Sequence, residues 1–359
     1  MGRTGFGLIL SAIGLAAGIS AVEAPALLAA PGDAGNTPPL MIATQGSFEA
    51  GGRVEGEAAT ASISCDHGHV EYQIPVAPRA VSLFLWHSSS AAVWQRRWDG
   101  GEGFQSIWLR RGYPVYLWDG PRVGRANWGC EEQRYRPWVG RDQASFIAWR
   151  LGAKYKQWFD GVQFPTDDPE AWNQAVRARY DEFDTVANAR LEAAAAAAAI
   201  ERIGRVVLVT NSAGGFRALL TALRTDNVVG IVAYETPGFV FPEGEGPRLE
   251  EGRFGPVYVS PDEFAKLARI PIQLVWGDNI DKSKSWADSR RLGQQFVDLV
   301  NAHGGKAEML DLPDMGLKGN THIPFADLNN VAVADLLGAF LNRHGLDHRA
   351  EGEESETGH

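Results

Sequence analysis

The sequence predicts an α/β protein, a doubly wound and mostly parallel sheet carrying helical cap insertions. Three observations predict it. Short apolar runs recur along the chain, most are near-continuous in Val, Ile and Leu, and helix-patterned stretches separate them. A strand covered on both faces needs continuous apolar character, whereas a half-exposed strand alternates. Regular strand–helix alternation is the pattern of a parallel sheet with right-handed crossovers.

In chain order, residues 1–24 carry Arg3, an apolar stretch, and Val22-Glu23-Ala24 at the spacing of a signal-peptidase site. They predict an export signal and an exported protein, periplasmic or extracellular. Residues 25–60, rich in Ala, Gly, Pro and Thr, read as a linker and edge segment. Residues 61–346 form the folded domain, with its well-patterned body from about residue 68. Its strands are VSLFLW at 81–86, YPVYLWD at 113–119, RVVLVT at 205–210, NVVGIVAY at 227–234, IPIQLVW at 270–276 and KAEMLDL at 306–312. Helical patterns occupy 215–223 and 283–302. A last helix is marked by Leu328, Val331, Leu336, Leu337, Phe340 and Leu341. The segments 135–203 and 238–262 break the alternation and are the cap candidates. The first ends in an alanine run, a strong helix former expected to act as scaffold. Residues 347–359 read as a disordered acidic tail.

The 359 residues carry a net charge of −10 and show no basic stripe, so nucleic acid is not an expected partner. Beyond the N-terminus no segment reaches the roughly 20 apolar residues of a membrane span. Cys65 and Cys130 are the only cysteines, and the sequence leaves their pairing open. His67 and His69 lack a third ligand, so no metal is expected, and no cofactor is implied.

The strand at 205–210 runs into VTNSAGGF. A strand that turns sharply into a helix strains its corner residue and demands small neighbours. Here those are Thr210, Gly214 and Gly215 around Ser212, a small-x-Ser-x-Gly elbow with Thr in place of the usual first glycine. The helix N-terminus beyond it offers N–H groups to a developing oxyanion. An acid and a histidine should follow in that order. Glu235 ends the next parallel strand, where ligand crevices of such sheets lie. His322 lies on the loop between the last strand and the last helix. Asp281, after the strand at 270–276, competes with Glu235 but sits one residue past the usual place, and Asp278 suits a turn. Glu235 is the expected acid. The N–H groups of Ser89, on the loop after LFLW, and Ala213 are the expected oxyanion donors. Trp86, Trp94, Phe239 and Phe241 are the expected lining of an apolar substrate pocket.

These residues resemble the α/β-hydrolase superfamily, and within it a group of secreted bacterial serine esterases with a glutamate triad acid. The likeness spans about residues 68–346 through GHVEYQIP, LFLWHSSS, WLRRGYPVYLWDGPRVGRA, VTNSAGG, VAYETPG, VWGDN and GNTHIPFADLNNVAVADLLGAFL. It implies a nucleophile, acid and base at Ser212, Glu235 and His322, and a small-molecule ester as substrate. In that group a His-Gly pair and two adjacent cysteines form the oxyanion loop. Ser88, Ser89 and Ser90 replace the glycine and both cysteines here. The same constellation serves lactonases, amidases and C–C hydrolases, and the fold also serves non-catalytic binding.

Overall fold

The computed structural model describes Gly2 and residues 38–87, 90–134 and 136–350. The expected export signal, Ser88, Ser89, and the tail from residue 351 lie outside the described residues.

One sheet of eight strands organises the chain. Its members are β1 (Ile42–Glu57), β2 (Ala61–Pro75), β3 (Ser82–His87), β4 (Val115–Asp119), β5 (Val206–Asn211), β6 (Val228–Tyr234), β7 (Pro271–Trp276) and β8 (Lys306–Asp311). They lie in the order β1-β2-β4-β3-β5-β6-β7-β8. β3 to β8 are mutually parallel, and the β1–β2 hairpin adds an antiparallel edge through β4. All six apolar runs are strands of this sheet.

Period-two alternation divides the strand side chains between two cores. Leu83, Leu85, Val207, Val209 and Val232 point into one. Phe84, Leu208, Ile231 and Leu274 point into the other. Because both faces are covered, the central strands lose alternation in polarity and read as unbroken apolar runs. Helices α1 (Phe104–Arg110) and α7 (Asn330–Arg343) contribute Ile107, Leu337 and Leu341 to the first core. Helices α4 (Val186–Ile203), α5 (Ala213–Ala222) and α6 (Lys284–Ala302) contribute Ala193, Leu219 and Phe296 to the second.

The alanine run lies in α4, which packs against β1, β2 and α5. A side chain at Gly51 of β1 would stand 2.6 Å from the Ala195 Cα, so strand and helix meet backbone to backbone. Only small residues on both sides allow that approach. The 186–203 part of the first cap candidate is therefore a layer of the domain. Its remaining part, with α2 (Arg141–Ala148), contributes side chains to the cavity that Ser212 borders, while α3 (Pro169–Arg177) packs Ala171, Trp172 and Ala175 into the first core.

The sheet starts at Ile42, so the edge segment expected within residues 25–60 is the edge strand β1. β1 is largely exposed, so no apolar pattern marks its bounds in the sequence. At the other end, the first tail residues are held: Arg349 pairs with Arg79, and the Ala350 N–H donates to the Pro78 carbonyl at 3.1 Å. Cys65 and Cys130 form a disulfide across 65 residues of sequence. Among the described residues the one cluster of metal-type ligands is Glu55 with these two cysteines, whose sulfurs are consumed by the bond. Asp66, beside the two histidines, is instead gripped by Arg53 and Arg122. No helix among the described residues is long and apolar enough to cross a membrane.

Candidate active site

The parallel register brings the ends of adjacent strands together. Asn211 pairs with Tyr234 across β5 and β6, so the residues that follow, Ser212 and Glu235, leave the same rim of the sheet. Ser212 occupies the corner between β5 and α5 with φ 54 and ψ −135. Its N–H donates to the Tyr234 carbonyl at 2.9 Å, and the Gly215 N–H donates to the Ser212 carbonyl at 3.0 Å. A Cβ at Gly215 would come within 2.5 Å of the Thr236 Cβ, which explains the small residue three places after the serine. The serine side chain makes no cap hydrogen bond to α5, and the Ala213 N–H opens that helix.

Glu235 also has a left-handed backbone, φ 52, as does Arg150 at φ 56. Non-glycine residues in that region each carry strain of about 1–3 kcal/mol, and such outliers gather at functional sites. The bonds that hold Glu235 are numerous. Its N–H donates to the Val275 carbonyl at 2.9 Å, and its Oε1 accepts from the Gly277 N–H at 2.8 Å. Arg150 donates from Nη1 to Oε2 at 2.7 Å and from Nη2 to Oε1. Oε2 also lies 2.6 Å from Nδ1 of His322. Glu235 is fully buried, and burial alone would push its carboxyl up. The Arg150 charge and the His322 hydrogen bond outweigh burial and bring the pKa down to about 2. An ionised carboxylate can only accept, so Nδ1 of His322 carries the proton and Nε2 is left basic.

His322 is placed by a rigid loop. Asn211, next to the serine, donates from Nδ2 to the His322 carbonyl at 2.9 Å, and the His322 N–H donates to the Trp149 carbonyl at 3.0 Å. The preceding Thr321 is fixed by Asp327, which accepts from its N–H at 2.7 Å and its hydroxyl at 2.8 Å. Trp286 of α6 lies against the imidazole, ring centroids 4.4 Å apart, and its indole donates to the Ala148 carbonyl at 2.7 Å. Burial holds the His322 pKa below its ordinary value, against the pull of Glu235. Ser212 and His322 line one cavity of about 590 Å³, the size of a small-molecule site. No hydrogen bond joins the Ser212 hydroxyl to His322 among the described residues.

The two rival acids lie elsewhere. Asp281 has a side chain 74% exposed and pairs with Lys282. Asp278 shapes a turn, accepting from the N–H groups of Asn279 at 2.7 Å and Gly319 at 2.8 Å. Of the expected oxyanion donors, Ala213 follows the serine directly, and Ser89 lies outside the described residues. The strand leading to it ends at His87, which pairs with Asn211.

The expected substrate lining must be corrected. Trp86, Trp94, Phe239 and Phe241 are all buried in the two cores. Trp86 packs edge-on against Phe84 and Trp118, Trp94 stacks on Phe325, and Phe239 and Phe241 pack on Phe296. A residue at a strand end still points into the layer beneath, so closeness in sequence to the rim does not place it in the crevice. The cavity wall comes instead from the insertions and α6: Trp149, Arg179, Glu182, Phe254 and Trp286. This wall is mixed in charge, where an apolar one was expected. The sequence reading also missed Arg150, Asn211 and Asp327. A lone arginine, asparagine or aspartate has no local pattern that marks it as a partner of a residue dozens of positions away.

Gly277 provides a test of how closely these parts fit. A Cβ there would lie 2.7 Å from the Thr321 carbonyl oxygen, 2.8 Å from that of Asn320 and 2.8 Å from Glu235 Oε1. Gly277→Ala is expected to displace the His322 loop and lower kcat about 100-fold, the typical loss for a misplacement near 1 Å. A folded variant with parental kcat would show that the loop tolerates the shift.

No family model matches the chain. A probable secreted lipase, phiG, of Fungal sp. (strain ATCC 74256), is similar to it, 23% identical over 320 residues, covering 76% of this chain and 84% of the lipase. The atomic-resolution structure of a novel bacterial esterase is also similar, with a TM-score of 0.71 and 24% identity over 86% of this chain and 98% of the esterase.

Proposed function

Because the chain has the α/β-hydrolase fold, we propose that it hydrolyses carboxylic esters of small molecules through an acyl-enzyme on Ser212. One observation carries the reading: Nδ1 of His322 is bound by an ionised, buried carboxylate at 2.6 Å, while the imidazole borders the cavity that also holds Ser212. That arrangement fixes the tautomer in which Nε2 accepts a proton.

In the first step the Ser212 oxygen attacks the ester carbonyl carbon and its proton passes to Nε2 of His322. The carbonyl π pair moves onto oxygen, and the N–H groups of Ala213 and Ser89 hold the oxyanion. A donor of this kind is worth about 2.7–4 kcal/mol. The oxyanion collapses, the C–O bond to the alcohol breaks, and the alcohol leaves with the proton from Nε2. Water then repeats the sequence, giving its proton to Nε2, releasing the acid and restoring the serine. Glu235 stabilises the transient imidazolium without being protonated. Burial holds His322 below its ordinary 6.5, so the acidic limb of kcat/KM is expected below that pH. A limb above it would show that another group titrates.

The names of the two similar proteins support an ester over an amide or a lactone. The test is a panel of nitrophenyl esters, anilides and lactones, with a fluorophosphonate as covalent probe. Ester turnover and labelling at Ser212 are the expected results. Turnover without labelling would remove the acyl-enzyme, and neither would favour a binding protein.

We propose further that the chain is exported. The signal-like residues 1–24, the disulfide, and the secreted character of the related lipase support it. The mass of the mature protein, with cleavage after Ala24, checks this.

A further inference from the structure

We infer that Arg150 is a positioning residue for catalysis, a cationic clamp that fixes the Glu235 carboxylate and offsets its charge beside His322. The inference rests on the proposed roles of Ser212, Glu235 and His322.

The Gly277 N–H already donates one bond to the Glu235 carboxylate, at 2.8 Å. Arg150 adds a full charge and two further bonds, with both partners buried. Its third donor is also occupied: Nε donates to the Asp278 carbonyl at 2.8 Å, and the guanidinium carbon lies 5.8 Å from the centre of the Trp286 ring. Trp286 in turn lies on His322. Arg150 therefore touches the acid, the turn after β7 and the aromatic wall of the base at once. It enters from outside the sheet strands, two residues past the end of α2, whose Arg141, Ala144 and Ser145 line the cavity. The clamp ties that wall to the acid.

The charge has a consequence of its own. A carboxylate beside an imidazole favours its protonation, and a cation bound to the same carboxylate opposes it. The charged groups that bear on His322 are Glu235, Arg150 and Arg179; His87 is within electrostatic reach of His322, and Asp327 of Glu235. Arg150 and Arg179 both oppose protonation, but only Arg150 contacts the carboxylate. Arg150 thus keeps the imidazole neutral, and able to accept the serine proton, to lower pH than Glu235 alone would allow.

The experiment follows hydrolysis of a nitrophenyl acetate ester by the full chain across pH, in Arg150→Met, Arg150→Lys, Glu235→Gln and the Arg150→Met/Glu235→Gln pair. In Arg150→Met the acidic limb of kcat/KM is expected to move up by about one unit, a tenfold change in protonation equilibrium. Its kcat should fall at least tenfold, with KM within about twofold. Arg150→Lys keeps the charge and should keep the limb while losing part of kcat. If Arg150→Met does not fold, the paired variant removes both charges and decides: adding Arg150→Met to Glu235→Gln should cost little further kcat, since residues acting through one another are not additive. An unmoved limb in a folded Arg150→Met, or an undiminished further loss in the paired variant, would overturn the clamp. Persistence of activity in Ser212→Ala would instead overturn the underlying catalytic roles, so the two failures are distinguishable.

Discussion

Replacing Ser212 with alanine is expected to lower kcat about 10⁶-fold, and replacing His322 with alanine to cost nearly as much. In the proposed mechanism the two residues act as a unit, so the double variant should lose little more than either single one. KM should change far less, because most of the cavity wall is built from other residues, Trp149, Arg179, Phe254 and Trp286 among them. Residual turnover of about 10³–10⁴ over water would remain from binding and the oxyanion donors. Steady-state kinetics on a nitrophenyl ester, with a fluorophosphonate to quantify intact sites, measures this. If Ser212→Ala keeps even a hundredth of parental kcat, the hydroxyl at the β5–α5 corner is not the nucleophile. Additive losses at Ser212 and His322 would mean that the two do not act as a unit.

Glu235→Gln is expected to lower kcat about 10⁴-fold, as loss of the tautomer-fixing carboxylate does elsewhere. Glutamine keeps the shape but cannot stabilise the imidazolium, and its amide N–H₂ group can turn towards Nδ1 and impose the wrong tautomer. A second effect accompanies it. Arg150 would be left buried beside a neutral amide, and breaking a buried ion pair from one side costs about 3–5 kcal/mol of stability. Thermal unfolding should therefore register the variant as well as kinetics. Asp281→Asn is the control: its carboxylate is exposed and pairs only with Lys282, so parental kcat is expected. Full activity in Glu235→Gln with loss in Asp281→Asn would reverse the assignment of the acid.

The legible and illegible parts of this molecule separate along physical lines. β3 to β7 were visible because burial on both faces leaves largely apolar runs, and β8, a partly buried edge strand, because it continues the strand–helix alternation. An edge segment within residues 25–60 was legible too, but the bounds of β1 were not, because an exposed edge strand has no such constraint. The elbow around Ser212 was visible because its neighbours must be small for local steric reasons. Glu235 and His322 were visible because a parallel strand order fixes which loops share a rim. Arg150, Asn211 and Trp286 were not, since each earns its place by a contact between segments far apart in sequence. The aromatic lining was misread for a related reason. Trp86 and Phe239 sit near the rim in sequence, but side-chain direction sends them into the cores.

By itself, then, the order of residues determined the sheet, its crossovers and the serine corner, all of which depend on short-range periodicity and local crowding. Only the folded chain decided which cation grips Glu235, which rings wall the cavity, and that charged residues share this wall with them. Those outcomes depend on contacts between segments far apart in sequence, 138 positions for Trp286 and Ala148, and no local pattern encodes them.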